Sequence, residues 1–236
     1  MIQIQTPSGK TLNTVCLDPN QGWRMFKNRL DAARQLAAAL NHYKAQHPVV
    51  LAIPRGAVPM ALVVAQQLGA DMDVVLVRKL RAPYMPEVAI GAVDESGKTY
   101  LAPYAQDMGA DWDYLQAEKK TQLAVLQHRR QQYNAIRPPV AIAGRTVIVI
   151  DDGLATGATM VSALQVVRQQ HPARLVCAVP VASADALEKV RPWADEVVCL
   201  STPQDFQGVG QFYRDFEQVE DQDVLHCLRS ARVLED

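Results

Sequence analysis

The chain has 236 residues, 49% hydrophobic and 21% charged, which is enough apolar material for one domain with a full core. A formal net charge of −1 argues against a nucleic-acid partner or an anionic membrane surface, and the acidic balance of residues 215–236 points the same way. No apolar run approaches the ~18–20 residues of a membrane-spanning helix, no charged-then-apolar leader opens the sequence, and Cys16, Cys177, Cys199 and Cys227 have neither CxxC nor Cys/His spacing, so a soluble cytoplasmic protein with reduced thiols is expected.

In chain order, Leu30, Ala33, Leu36, Leu40 and Tyr43 recur at spacings of three and four, which predicts a helix over 29–45. VVLAI (49–53) reads as a buried strand, 58–68 as a helix ended by Gly69, and DVVLV (73–77) as a second strand. A Pro-rich loop follows (Arg81 to Pro86), then a hairpin over AIGAVDESGKTYLA (89–102) and a long helix over 112–134. On that helix Trp112, Leu115, Leu123, Leu126 and Tyr133 share a narrow arc that packs on the domain. Lys119, Lys120, Arg129 and Arg130 read as its solvated face, or as a contact for a second copy in a homo-oligomer. Strands at 147–150, 175–179 and 196–200 alternate with helices at 158–170 and 184–191. Continuous Val/Ile/Leu strands alternating with helices predict an α/β, doubly wound, mainly parallel five-stranded sheet. A helical and hairpin insertion over about 80–145 interrupts it, and a small hood over about 200–236 follows it.

The most informative stretch is VIVIDDGLATGATM (147–160). In an open parallel sheet, ligands bind past the carboxyl ends of the strands, where Asp151 and Asp152 are expected. Gly153, Leu154, Ala155, Thr156, Gly157, Ala158 and Thr159 then make a turn opening a helix, whose free N–H groups and dipole suit a phosphate. Acids followed by such a cradle suit a sugar phosphate. The loop is neither a Walker loop nor a GxGxxG turn; a plain capped turn with solvated acids is the bland alternative.

This string resembles the phosphoribosyl-pyrophosphate (PRPP) motif of the type I phosphoribosyltransferases, and the likeness runs in motif order over residues 25 to 200. IPRGAVPMA (53–61) resembles that family's pyrophosphate loop, with Arg55 and the backbone of Gly56 and Ala57 on the diphosphate and a non-proline cis bond at Pro54–Arg55. VRKL (77–80) resembles the strand end where the mobile catalytic loop starts. PEVAIGAV (86–93) and FYRDF (212–216) match a bacterial subgroup whose base is open. The resemblance implies Mg²⁺-dependent displacement of pyrophosphate from C1 by a small-molecule nitrogenous base. Asp151 and Asp152 would hold the ribose hydroxyls, directly or through the waters of the metal. Arg55, Arg78, Lys79 and Glu87 are the expected catalytic residues, with Glu87 exchanging a proton with the base. Members acting on 6-oxopurines carry an aspartate where this chain has Ala155, which argues against such a base. A non-catalytic PRPP or nucleotide sensor, and a hydrolase of phosphorylated sugars, are the competing readings.

Overall fold

The computed structural model describes residues 2–5, 11–16, 25–86, 88–134, 136 and 138–231. Among these, a seven-stranded sheet runs in the order β1 (Ile2–Gln5), β2 (Thr11–Cys16), β10 (Glu196–Ser201), β9 (Arg174–Val181), β8 (Thr146–Ile150), β3 (Val49–Ala52), β4 (Asp71–Val74). The last five strands are parallel and form the expected α/β sheet. β2 extends it in parallel beside β10, and β1 turns back antiparallel on β2. IQIQ and TLNTVC lack the continuous apolar run of the other strands, so periodicity does not announce them.

Side-chain alternation sorts the sheet into two cores. Val50, Ala52, Ile148, Ile150, Val176, Ala178, Val198 and Leu200 point into one. Helices α1 (Arg29–Ala39), α2 (Val58–Leu68) and α6 (Asp221–Ser230) contribute to that core. Val49, Leu51, Val147, Val149, Leu175, Cys177, Val197 and Cys199 point into the other, beneath α4 (Ala158–Arg168) and α5 (Ala184–Val190). Both faces are covered, which is why these strands have no polar side and why the fold is doubly wound. After β3 the chain adds β4 on one flank and then returns to place β8 on the other. The order of strand placement therefore reverses between β3 and β8, and a ligand crevice is expected at their carboxyl ends.

Two boundaries differ from the sequence reading. The first helix ends at Ala39, and Tyr43 lies in a 3₁₀ turn (Asn41–Gln46), where it donates its hydroxyl to Glu196 at 2.6 Å. The run DVVLV is not one strand. β4 ends at Val74, and Val75–Leu76 carry the chain into β5 (Val77–Arg81), which pairs antiparallel with β6 (Ala89–Asp94). β6 pairs in turn with β7 (Thr99–Leu101), the expected hairpin. This small sheet contacts both α4 and α3 (Trp112–Asn134).

The insertion helix also corrects two residue assignments. Trp112 is 71% exposed, because it opens α3 ahead of the first buried residue, Leu115. Arg130 is not on the solvated face; it is buried with Asp73 of β4 and Glu95. Its Nη1 donates to Asp73 at 2.9 Å, its Nε to Glu95 at 3.1 Å, and its Nη2 to the Val74 carbonyl at 3.3 Å. Asp73 also accepts from the Val140 amide at 3.0 Å, so Arg130 ties the insertion to the edge of the main sheet. Removing one member of a buried ion network strands the other charges. Arg130→Met should lower unfolding free energy by ~3–5 kcal/mol in urea titrations, and adding Asp73→Asn and Glu95→Gln should recover part of that loss.

Candidate active site

Two loops leave the carboxyl ends of the adjacent strands β3 and β8. Residues 53–57 lead into α2 and residues 151–157 into α4. The Ile53 amide bonds the Ile150 carbonyl at 3.0 Å, which keeps the loops side by side. The Pro54–Arg55 peptide is cis, as the resemblance implies. Gly56 is wedged against Asp152: a Cβ there would lie 2.2 Å from Asp152 Oδ2 and 3.2 Å from an Arg29 guanidinium nitrogen. Any side chain at position 56 would displace the Asp152 carboxylate from where it meets Arg29.

The two helices that follow these loops share a feature. Asn28 caps α1 by accepting from the Asp31 amide, and Ser183 caps α5 by accepting from the Ala186 amide. Asp111 does the same for α3 through the Tyr114 amide. Neither α2 nor α4 has a side-chain cap. Gly157, at φ 73°, takes the position before α4, where a side chain would be strained and would crowd the Ala186 carbonyl at 3.0 Å. A substitution at Gly157 therefore disturbs the α5 contact as well as the loop. Thr156 and Thr159 are exposed beside the first turn of α4.

Asp151 and Asp152 differ in their surroundings. Asp151 Oδ1 accepts from the Asp152 amide at 2.9 Å, and no cation pairs with it among the described residues. Burial pushes the Asp151 carboxyl well above the usual range, and the neighbouring Asp152 charge adds to this; the Asp152 amide and Arg29 offset only part. Burial also raises Asp152, against the pull of Arg29. Arg29 Nε and Nη2 both approach Asp152 Oδ2 at 2.9 Å. The Tyr213 hydroxyl donates to the Asp152 carbonyl at 2.6 Å, and burial followed by the Asp152 charge pushes that phenol up.

The remaining expected residues scatter around this centre. Arg55 Nη1 lies 3.3 Å from Glu220 and 3.6 Å from Asp221, at the start of α6. Arg78 and Lys79 of β5 border one cavity. Arg78 Nε turns to Gln122 of α3 at 2.6 Å. Lys79 lines a cavity of about 210 Å³ with Val77, Arg78, Arg81, Thr159 and Ser162, between β5 and the first turns of α4. Glu87 lies outside the described residues. Sequence reasoning missed Arg29, Arg81, Tyr213, Glu220 and Asp221. FYRDF was visible as a motif, but its task, placing Tyr213 and Phe216 over Asp152 and Arg29, was not.

A carboxyl whose folded pKa is raised destabilises the fold once it ionises. Its stability is fully present below the ordinary aspartate value of ~3.9 and is lost as pH climbs through the folded value. Asp151→Asn keeps the acceptor for the Asp152 amide and does not titrate. Thermal melts should place the variant above the wild type at neutral pH, with the gap closing toward pH 4; a variant that melts lower at neutral pH would give Asp151 a structural role.

A family model of the phosphoribosyl transferase domain matches residues 23–217. Two Mycobacterium tuberculosis proteins, "Putative phosphoribosyl transferase Rv0571c" of strain H37Rv and "Putative phosphoribosyl transferase MT0597" of strain CDC 1551, are each 41% identical over 209 residues, covering 88% of this chain and 47% of theirs. The chain thus spans about half the length of the curated relatives it matches. The crystal structure of TT1426 from Thermus thermophilus is 49% identical, with a TM-score of 0.83, over 88% of this chain and 99% of that one. On the match over residues 23–217, the chain belongs to the phosphoribosyl transferase domain family.

Proposed function

We propose that the chain is a Mg²⁺-dependent phosphoribosyltransferase that takes PRPP and a nitrogenous base and releases pyrophosphate. The observation that carries this reading is the carboxylate pair lying between two uncapped helix starts at the reversal of strand order. The start of α4 supplies unpaired N–H groups and the positive end of a dipole; the start of α2, where Pro59 has no N–H and the Val58 amide is taken, supplies chiefly the dipole. Phosphates at both ends and a diol between them match that layout. The 5-phosphate would take the free amides among residues 153–159 with the Thr156 and Thr159 hydroxyls. The ribose hydroxyls would take Asp151 and Asp152. The diphosphate would take Arg55 and the backbone of Gly56 and Ala57, since a guanidinium can bind such oxygens two at a time.

The donor set suits a hard cation. Asp151 offers a carboxylate with no competing cation, while no group of three or more His, Cys, Asp or Glu gathers to form an all-protein cage among the described residues. Mg²⁺ held through one or two carboxylates and water fits that pattern, and when bound it would neutralise charge on the leaving diphosphate. Around it, Lys79 would face the growing negative charge from the β5 side, and Glu87 would exchange a proton with the base. The reaction would belong to the cytoplasm, where buried thiols such as Cys177 and Cys227 stay reduced. The bond from Arg78 Nε to Gln122 engages part of one expected catalytic cation and favours a second reading, a PRPP-binding regulator on the same scaffold.

A panel of candidate bases, each incubated with PRPP and Mg²⁺ and followed by pyrophosphate release, separates the readings. Release with one base supports the transferase. Tight PRPP binding without release for any base supports the regulator, and no PRPP binding at all removes both. Within the same assay, Glu220 and Asp221 compete with the diphosphate for Arg55. Exposed ion pairs of this kind are weak, so Glu220→Gln with Asp221→Asn should tighten PRPP binding about two- to fivefold by calorimetry. Weaker binding would mean these acids support the site.

A further inference from the structure

Arg29 carries no role in the reading above, yet it touches more of the site than any residue that does. It is the first residue of α1, and its side chain is only 12% exposed. Its Nε and Nη2 hold Asp152 Oδ2, its Nη1 donates to the Glu217 carbonyl, and its guanidinium lies 3.7 Å from the centre of the Phe216 ring. A Cβ on Gly56 would come within 3.2 Å of it, so it also borders the loop before α2. One rigid, planar cation thus meets the ribose carboxylate, the diphosphate loop and the C-terminal segment. A guanidinium suits this post because its donors spread in a fixed fork while its face remains free to stack.

The surrounding backbone keeps Arg29 there. The Phe26 amide bonds the Phe212 carbonyl at 2.8 Å, and the Arg214 amide bonds the Phe26 carbonyl at 2.9 Å. The chain entering α1 is therefore laced to the segment that carries Tyr213 and Phe216. Tyr213 closes the circuit on the Asp152 carbonyl. Asp152 is held on its side chain by Arg29 and on its main chain by Tyr213, whereas the Asp151 carboxylate accepts only the next amide among the described residues.

We propose that Arg29 is a positioning residue: it aims Asp152 at the ribose hydroxyls, and Phe216 and the Glu217 carbonyl hold it in place from the C-terminal segment. This rests on the sugar-phosphate reading of the site. Arg29 acts through Asp152 and makes no contact with the reacting atoms.

The test is a double-mutant cycle read by calorimetric binding of ribose 5-phosphate, which needs no turnover and no identified base. In the wild-type background Asp152→Asn should weaken binding about ten- to a hundredfold, the loss expected for charge-assisted hydrogen bonds. In an Arg29→Met background the same change should cost less than about threefold, because Asp152 is no longer aimed. Arg29→Lys should recover only part of the affinity, since an ammonium has no fork and no flat face. Equal losses from Asp152→Asn in both backgrounds would overturn the proposal and leave Arg29 a purely structural link. If Arg29→Met does not fold, Phe216→Leu carries the test, because that ring is already 36% exposed. It should weaken ribose 5-phosphate binding about two- to fivefold with an unchanged melting temperature, and unchanged affinity overturns the proposal. Failure of the wild-type protein to bind ribose 5-phosphate or PRPP would instead overturn the sugar-phosphate reading, and this inference with it.

Discussion

Two carboxylates at the end of a buried strand cannot both be ionised cheaply. Burial disfavours each charge and their proximity disfavours the second. The fold answers with one counter-charge, Arg29, placed on Asp152 and not between the two acids. That choice makes the pair unequal: Asp152 is anchored, and Asp151 keeps a carboxylate without a cation among the described residues. It also dictates where distant parts of the chain must lie. Arg29 has to be desolvated to pair well, so its own remaining donor and its flat face need cover, which residues 216 and 217 supply. The start of α1, the end of β8 and the C-terminal segment are thereby fixed at a single point.

The opposite edge of the site depends on a second buried cation. Arg130 joins the insertion helix to β4 through Asp73 and to the β6–β7 turn through Glu95. With α3 fixed, β5 is held between α3 and α4, where Arg78 engages Gln122 and both Arg78 and Lys79 border the first turns of α4. The insertion expected as a hairpin and a helix thus packs as a unit, with β5 added to the hairpin as a third antiparallel strand. Its Pro83–Tyr84–Met85–Pro86 tip stands in solvent, with Tyr84 87% exposed.

What was legible in the sequence is what local chemistry writes locally. Four of the five parallel strands announce themselves as apolar runs because both of their faces are buried, while β4, DMDV, starts ahead of the apolar run DVVLV; the loops after β3 and β8 announce themselves through glycines at strand ends. The hairpin and the long insertion helix were also visible. What escaped was long-range or lacked a period. β1 is only four residues long, and TLNTVC of β2 has neither a continuous apolar run nor strict alternation. Val75–Leu76 look like strand but serve as the crossing between two sheets. Arg130 sits on a polar helix face until its partners Asp73 and Glu95 are brought to it. Arg29 and Asp152 are remote in sequence, and nothing near either one signals the other. The tertiary fold decides which of many arginines is buried against which acid.

The helix starts show how the scaffold and the site divide the work. At α1, α3 and α5 the chain completes the first turn with its own side chain, Asn28, Asp111 or Ser183. At α2 and α4 it does not, and the two are not equivalent. Pro59 in the first turn of α2 has no N–H to give, and the Val58 amide is already used by the Arg55 carbonyl at 3.1 Å. Few backbone donors remain there, so an anion at α2 must rely on the guanidinium of Arg55. The loop before α4 carries no basic residue between Gly153 and Thr159; its Leu154 amide is taken by the Val181 carbonyl at 2.9 Å and its Ala158 amide approaches the Thr156 hydroxyl at 3.4 Å, and the amides of residues 155–157 meet no protein acceptor among the described residues. An anion at α4 would be held by backbone and hydroxyls alone. In the proposed reaction these two kinds of grip would divide the donor between them: a side-chain cation that can exchange partners for the departing diphosphate, and a fixed backbone cradle for the monophosphate.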